Sequence, residues 1–287
     1  GDVVVVNDTK VIPARLRLVR ESGGAAEVLL LEQDSVAPSK WEALIRPAKR
    51  LKLGETLFAS DNSEIVRIGE RTKAGDTFIV ELVGKTRDDV EALLKKFGEM
   101  PLPPYIETRL EQADRYQTVY ANRPASAAAP TAGLHFTPKL LSDLKSAGIK
   151  ILTVDLTVGL DTFAPVTSEN PLDHPMHSEH YRVTEETLED CARAERVIAV
   201  GTTATRALES AATSGVLSGR TKMFISRGYE FKVVDLLLTN FHMPRTTLLM
   251  MIEAFVGPRW RDLYSVAIAE RYRMLSFGDA MLLNRHL

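Results

Sequence analysis

At Thr86 the chain changes texture. Before it, from Gly1 to about Val83, short runs of strand formers recur: Val3 to Val6, Arg15 to Arg20, Ala26 to Leu31, Trp41 to Ile45, Thr56 to Ala59, Glu64 to Ile68 and Thr77 to Leu82. Turn formers such as Gly23-Gly24, Asp61-Asn62-Ser63 and Gly75-Asp76 separate them, and short strands at this spacing predict a small barrel or sandwich. After Thr86, helices and strands alternate. Thr86 can cap a helix with Asp88 and Asp89 in its first turn, with Val90, Leu93, Leu94 and Phe97 on one face, and with Gly98 at its end. Met100 to Ile106 is proline-rich and extended. Thr137-Pro138 opens a helix through Leu144 that stops at Gly148, and Ile149 to Leu156 follows as a strand. Thr184 caps another helix, with Glu185 and Glu186 at its positive end. Arg196 to Val200 reads as a buried strand, and Thr202 to Ala212 and Thr246 to Phe255 as helices. The pattern predicts an α/β main domain over residues 1–14 and 85–287, with a small antiparallel β-barrel lobe over residues 15–84.

Composition bounds the partners. Of 287 residues, 45% are hydrophobic and 26% charged, which excludes disordered and low-complexity classes. The 36 Lys and Arg against 38 Asp and Glu give a net charge of -2, so any nucleic acid must be held by a local patch and not by the charge of the whole chain. Arg46, Lys49, Arg50 and Lys52 form one candidate patch, and Arg259 and Arg261 beside Trp260 another. The single cysteine, Cys191, cannot form an intramolecular disulfide, and no apolar run approaches a bilayer span. A cytoplasmic protein without membrane contact is expected. The chain begins Gly1-Asp2-Val3 with no initiator Met, which suggests that upstream residues are missing.

Five segments could carry chemistry. In Ala129 to Pro138, a Pro-Thr-Ala-Gly turn leads into His135, which lies just before a helix start and suits a neutral hydrogen-bonding or proton-accepting role; a histidine that merely ties the turn to the helix is the plainer reading. In Val197 to Ser210, a buried strand runs through Gly201, Thr202 and Thr203 into a helix bearing Arg206, leaving N–H groups and hydroxyls for a carboxylate or phosphate. The Gly-x-Gly-x-x-Gly spacing of a dinucleotide site is absent, and packing alone would explain the turn equally well. Asp173 to Tyr181 gathers His174, His177, His180, Asp173 and Glu179. Pro175 breaks helical spacing there and thiol ligands are lacking, so a hydrogen-bonding loop is expected and no metal site. Leu238 to Thr247 sets Asn240, Phe241, His242 and Arg245 at the mouth of an apolar helix, where Asn240 could read a base edge and Arg245 a phosphate. Finally, Asn7-Asp8-Thr9-Lys10 follows the opening strand, at the end where α/β sheets place their sites.

Taken together and in this order, these segments resemble the S-adenosylmethionine:tRNA ribosyltransferase-isomerase family of queuosine biosynthesis. The matching stretches are Gly1 to Leu16, Met100 to Ile106, Tyr116 to Ala121, Ala128 to Thr137, His174 to Glu179, Gly201 to Ser210, Asp235 to Pro244 and Gly278 to Leu282. Tyr116-Gln117-Thr118-Val119-Tyr120-Ala121, the Pro130 to Phe136 run and Thr239-Asn240-Phe241-His242 are the most specific. The resemblance implies an α/β domain with a β-barrel lobe. It also implies transfer and isomerisation of the ribosyl unit of S-adenosylmethionine onto 7-aminomethyl-7-deazaguanine at the tRNA wobble position, with adenine and methionine leaving and epoxyqueuosine-tRNA formed. S-adenosylmethionine is then a consumed substrate and no cofactor is expected; the partners are the tRNA anticodon loop and S-adenosylmethionine, in a monomer or weak homo-oligomer. The chain departs from the family pattern at Thr157, where members often carry His, at Ala164 for Arg, at Arg227 for Pro and at Ala125 for Gly. It also lacks an Arg-bearing stretch ahead of Gly1 that the family carries.

The implied reaction needs a base for the proton beside the sulfonium, an acid for the departing adenine, and guidance for the attacking amine. Because Thr157 replaces an imidazole, His135 is the candidate base, with Asp8 or Glu179 as competing or orienting carboxylate and His177 or His242 as proton donor. Phe136 and Phe241 are expected to face the sulfonium, and the Gly201 to Thr203 turn to hold the methionine carboxylate. Lys10, Thr131, Gly133, Arg206, Asn240 and Arg245 complete the expected binding set. A conventional methyltransferase would show a Gly-rich loop after its opening strand, which is not seen. The alternative is a non-catalytic tRNA-binding paralogue, which would retain RNA without releasing adenine.

Overall fold

The computed structural model describes residues 1–286 apart from 35, 73–74, 76, 104, 107–112, 127, 158–167, 169, 174–175 and 177. The chain forms two compact units: Gly1–Lys10, Leu110–Arg123 and Ala129–Leu287 in one, Val11–Arg109 and Pro124–Ala128 in the other. It opens with β1 (Val3–Asn7) and the short β2 (Thr9–Val11), then enters a barrel of β3 (Arg15–Arg20), β4 (Ala25–Gln33), β5 (Lys40–Arg46), β6 (Thr56–Phe58), β7 (Glu64–Arg71) and β8 (Phe78–Leu82). These run in the order β4-β5-β8-β7-β6-β3, and β3 pairs back onto β4, so the six strands close. Closure removes exposed edges and fixes one inner face. Alternate residues fill it: Leu16 and Leu18, Trp41, Ala43 and Ile45, and Phe78, Val80 and Leu82 are all buried.

The helix read after Thr86 is α1 (Arg87–Phe97), closed by a capping box in which Thr86 accepts from the Asp89 N–H and Asp89 accepts from the Thr86 N–H. Val90 and Leu94 are its buried positions. The next two residues, β9 (Gly98–Glu99), pair antiparallel with β3 at Leu16↔Gly98. The barrel unit therefore takes in residues beyond the 15–84 lobe read from the sequence and runs to Arg109.

After β10 (Arg123–Ser126) the chain builds the second seven-stranded sheet from β1, β11 (Lys150–Leu156), β12 (Glu179–Arg182), β13 (Val197–Val200), β14 (Ser218–Thr221), β15 (Leu236–Asn240) and β16 (Ala280–Asn284), in the order β14-β12-β11-β1-β13-β15-β16. β1 is parallel to β11 and β13, and β13 to β15, whereas β12 is antiparallel to β11, β14 to β12 and β16 to β15. Val3 to Val6 are buried without alternation, as expected of a parallel strand covered on both faces. The helices are α2 (Pro138–Ser146), α3 (Glu185–Arg193), α4 (Gly201–Ser214), α5 (Thr247–Val256) and α6 (Trp260–Ala269). Thr137, Thr184 and Thr246 each accept an N–H from the first turn of their helix, a contribution of about 1 kcal/mol apiece. One expectation is corrected here: the end of the Asp173 to Tyr181 segment is not loop, because Glu179–Arg182 is strand, paired with both β11 and β14. Among the described residues no helix is long and apolar enough to cross a membrane.

Candidate functional site

The parallel strands β1, β11, β13 and β15 end on one edge of the sheet, at Asn7, Leu156, Val200 and Asn240. Ligands of open α/β sheets bind at this edge because strand ends and helix starts leave unpaired backbone groups there. Asn7, fully buried, clasps two of the strand ends: its Nδ2 donates to the Leu156 carbonyl at 2.9 Å and its Oδ1 accepts from the Leu156 N–H at 3.2 Å. The clasp positions Asp8, which is half-buried, and whose carboxyl is pushed above its ordinary range by burial, against the lowering effects of its own backbone and of Arg123.

The turn over Thr131–His135 is a single 3-10 turn. Only glycine fits at Gly133, because a Cβ there would overlap the Tyr120 hydroxyl and come within 2.8 Å of Thr118 Cγ2. The hydroxyls of Thr118 and Tyr120 are buried without hydrogen-bond partners among the described residues; burial first, and the Asp8 charge second, push the Tyr120 phenol up. From this turn, His135 Nε2 lies 2.8 Å from Asn240 Oδ1, and Asn240 Nδ2 donates to Thr131 Oγ1 at 2.9 Å. In this amide orientation Nε2–H is the donor to Asn240, which in the neutral ring leaves the lone pair on Nδ1. Two residues along, His242 Nε2 is 2.9 Å from Thr239 Oγ1, and the His242 N–H donates to the Tyr264 hydroxyl at 2.8 Å. Burial lowers the His242 imidazole to about 4, so this ring is neutral near pH 7.

A narrow cleft opens between the 129–132 turn, the start of α4 and the end of β15. Thr131, Gly201, Thr202, Thr203, Asn240 and His242 all line it. Gly201 has φ +88°, a left-handed backbone that favours glycine, and α4 starts without any side-chain cap. Thr203 Oγ1 is buried with no partner among the described residues. One turn on, Arg206 is 4% exposed and forms an ion pair with the buried Glu179 through Nη1, while its Nε and Nη2 have no partner among the described residues. Unsatisfied buried donors cost about 1–3 kcal/mol each, and Thr203 stands at an uncapped helix start that lines the cleft, the arrangement that receives an anion.

The structure thus brings six of the expected residues to one cleft and joins His135 to it through Asn240. Glu179 and Arg206 form the ion pair behind the helix start. Gly133 packs under Tyr120, and Lys10 and Arg245 are exposed. Phe136 and Phe241, expected to face a cation, are core residues instead: Phe136 packs edge-on with Tyr120 at 6.1 Å, and Phe241 with Tyr264 and Tyr272 at 5.5 and 5.7 Å. Neither lines the cleft, because a bare ring gains more from burial than from a site it does not reach. Ala164, His174, Pro175 and His177 lie outside the described residues. Among the described residues no cluster of His, Cys, Asp and Glu is arranged to hold a metal ion. Sequence reasoning missed Tyr120 and Tyr264 as supports of the site. The Tyr116 to Ala121 motif was the available signal for the first; nothing local marks the second.

The queuosine biosynthesis protein family model matches residues 1–283. The S-adenosylmethionine:tRNA ribosyltransferase-isomerase of Rubrobacter xylanophilus is 51% identical over 289 residues, covering 99% of this chain and 82% of its own length. That of Moorella thermoacetica is 50% identical over 293 residues, covering 99% and 84%. A crystal structure of S-adenosylmethionine tRNA ribosyltransferase from Thermotoga maritima is 33% identical, covers 98% of this chain and 82% of its own, and superposes with a TM-score of 0.49.

Proposed function

Because the chain belongs to the queuosine biosynthesis protein family, we propose that the cleft at the carboxyl edge of its α/β sheet carries out the family's reaction. The protein is an S-adenosylmethionine:tRNA ribosyltransferase-isomerase: it moves and isomerises the ribosyl unit of S-adenosylmethionine onto 7-aminomethyl-7-deazaguanine at the tRNA wobble position. Adenine and methionine leave, and epoxyqueuosine-tRNA is the product.

In our assignment His135 is the base. Its Nδ1 lone pair, set by the Nε2 contact to Asn240, takes the proton beside the sulfonium, whose charge acidifies the adjacent carbon so that a modest base suffices. Asp8 is the supporting carboxylate, its burial keeping it more basic than an exposed one. The uncapped start of α4, with Thr202, Thr203 and, behind them, Arg206, holds the methionine carboxylate. His242, neutral at working pH, is suited to hydrogen-bond adenine, leaving His177 as the better donor of a full proton. S-adenosylmethionine is consumed and no cofactor enters the scheme. We place catalysis in the α/β unit, in the cytoplasm, in a monomer or weak homo-oligomer.

The observation that carries this assignment is the Thr131–Asn240–His135 hydrogen-bond chain beside an uncapped helix start. The test is to incubate the protein with S-adenosylmethionine and tRNA bearing the modified base, and to follow adenine release together with the epoxyqueuosine mass. Appearance of both in equal amounts supports the assignment. Retention of tRNA with neither product would instead favour the non-catalytic paralogue that Thr157 and Ala164 suggest.

A further inference from the structure

Beside the cleft mouth lies a segment with an unusual backbone. Arg271 (φ 58°) and Leu275 (φ 71°) hold the left-handed conformation, as does Arg245 (φ 58°), which L side chains rarely adopt and which concentrates at functional sites. The segment is nonetheless fixed. The Leu275 N–H donates to the Phe241 carbonyl at 2.9 Å, the Arg273 N–H to Asp279 Oδ2 at 2.7 Å, and the Asp279 N–H to the Arg273 carbonyl at 2.8 Å. It touches the site at both ends. Tyr272 packs edge-on against Phe241, the residue before His242, and the Asp279 carboxyl is held low first by Arg273 and, more weakly, by the nearby His135.

The outward face of this region does not resemble ordinary surface. Tyr272 is 46% exposed although its edge contacts the core, and Met243 is 50% exposed. Arg245 and Arg271 are exposed and form no ion pair among the described residues. Arg115, also exposed and without a carboxylate partner among the described residues, lies 5.7 Å over the Phe277 ring in the same segment. Three guanidinium groups with no ion pair among the described residues and one half-exposed aromatic ring thus belong to, or contact, the 243–245 and 271–279 segments that flank His242.

We infer that this face receives the single-stranded loop of the RNA substrate, with Tyr272 stacking on a nucleotide next to the modified base and Arg115, Arg245 and Arg271 contacting the flanking phosphates. The inference rests on the reaction proposed above. Loop bases are already unstacked and offer a π-face to any aromatic ring, and guanidinium forks match phosphate oxygens. A docking protein would favour an apolar centre over unpaired cations. The net charge of -2 also requires such a patch to be local.

The test uses the full chain and an anticodon stem-loop RNA carrying 7-aminomethyl-7-deazaguanine, with binding read by fluorescence anisotropy and KM for S-adenosylmethionine read separately. Tyr272→Ala should weaken stem-loop binding by roughly 5- to 150-fold, the range for losing one base stack, Tyr272→Phe should restore it, and KM for S-adenosylmethionine should stay within about twofold. Arg245→Gly and Arg271→Gly keep the backbone, because glycine adopts positive φ freely, so these variants stay folded. Together they should flatten the dependence of log Kd on log salt by about 0.7 per lost phosphate contact. The inference is overturned if Tyr272→Ala binds the stem-loop like wild type, if the two glycine variants leave the salt slope unchanged, or if the wild type does not bind the stem-loop. A wild type that binds the stem-loop through this face but never releases adenine would sink the reaction assignment and leave the surface standing.

Discussion

The barrel and the carboxyl edge of the α/β sheet solve different problems with similar residues. In the barrel, period-two alternation sends every second side chain inward, and Val28, Leu30, Val66, Ile68, Val80 and Leu82 fill the interior at almost no exposure. At the carboxyl edge the chain does the reverse. Among the described residues it buries Thr118, Tyr120, Thr203 and Arg206 with polar atoms unpaired, leaves α4 without a side-chain cap and holds Gly201, Arg245, Arg271 and Leu275 at positive φ. Burial of unpaired donors opposes folding; among the described residues the edge gathers several such groups around one cleft, whereas the barrel carries them singly, at Arg15 Nε and Trp41 Nε1. The contrast separates residues that hold the fold from residues kept for a ligand.

Four changes would break or sharpen that contrast. The largest effect on stability is expected in the barrel: Leu30→Ala should lower unfolding free energy by about 2–5 kcal/mol while leaving turnover per folded molecule unchanged, as urea denaturation and an active-site-normalised assay would show. A large fall in normalised turnover would tie the barrel to the chemistry and break the contrast. Gly133→Ala should cost about 1–3 kcal/mol through overpacking against Tyr120, and a second change, Tyr120→Phe, should recover part of it by removing the hydroxyl that the new methyl meets. Additive losses in the double variant would contradict that contact.

The third change is in pH. His242 titrates at about 4 when folded against an ordinary 6.5, so between those values the unfolded chain takes up a proton that the buried ring refuses. Stability should therefore fall as pH drops from about 6.5 to about 4, and the fall should be shallower in His242→Asn. Identical pH dependence of the urea midpoint in the two proteins would remove His242 as its source. The smallest stability effect is expected at Thr203→Val. Replacing an unpaired buried hydroxyl by a methyl should leave the melting temperature within a few degrees of wild type or raise it, yet increase KM for S-adenosylmethionine several-fold. An unchanged KM would mean that the helix start does not touch the substrate.

Much of the fold was legible because its signals are local. The caps at Thr86, Thr137, Thr184 and Thr246 are each written within four residues of the helix they start, and the barrel strands announce themselves by alternation. What stayed hidden is held by tertiary contact. Helix α6 buries only Ala267 and so has no apolar stripe to read, and β14, Ser-Gly-Arg-Thr, is strand because it pairs with β12, not because of its composition. The site divides the same way. Thr131, Gly201, Thr203 and Asn240 stand at recognisable element ends, whereas Tyr120 over Gly133 and Tyr264 under His242 meet only in the folded chain. Phe136 and Phe241 misled because an aromatic beside a polar motif reads as a binding face, and burial took both into the core.

The central claim is that chemistry at the carboxyl edge runs through His135, and single-turnover adenine release by His135→Ala tests it most directly. With tRNA and S-adenosylmethionine saturating, the variant should release adenine at least about 100-fold more slowly than wild type, the usual contribution of a positioned base, while its urea midpoint and stem-loop affinity stay close to wild type. Release within a few-fold of wild type would contradict the assignment and move the base to another residue of the edge, with Asp8 first.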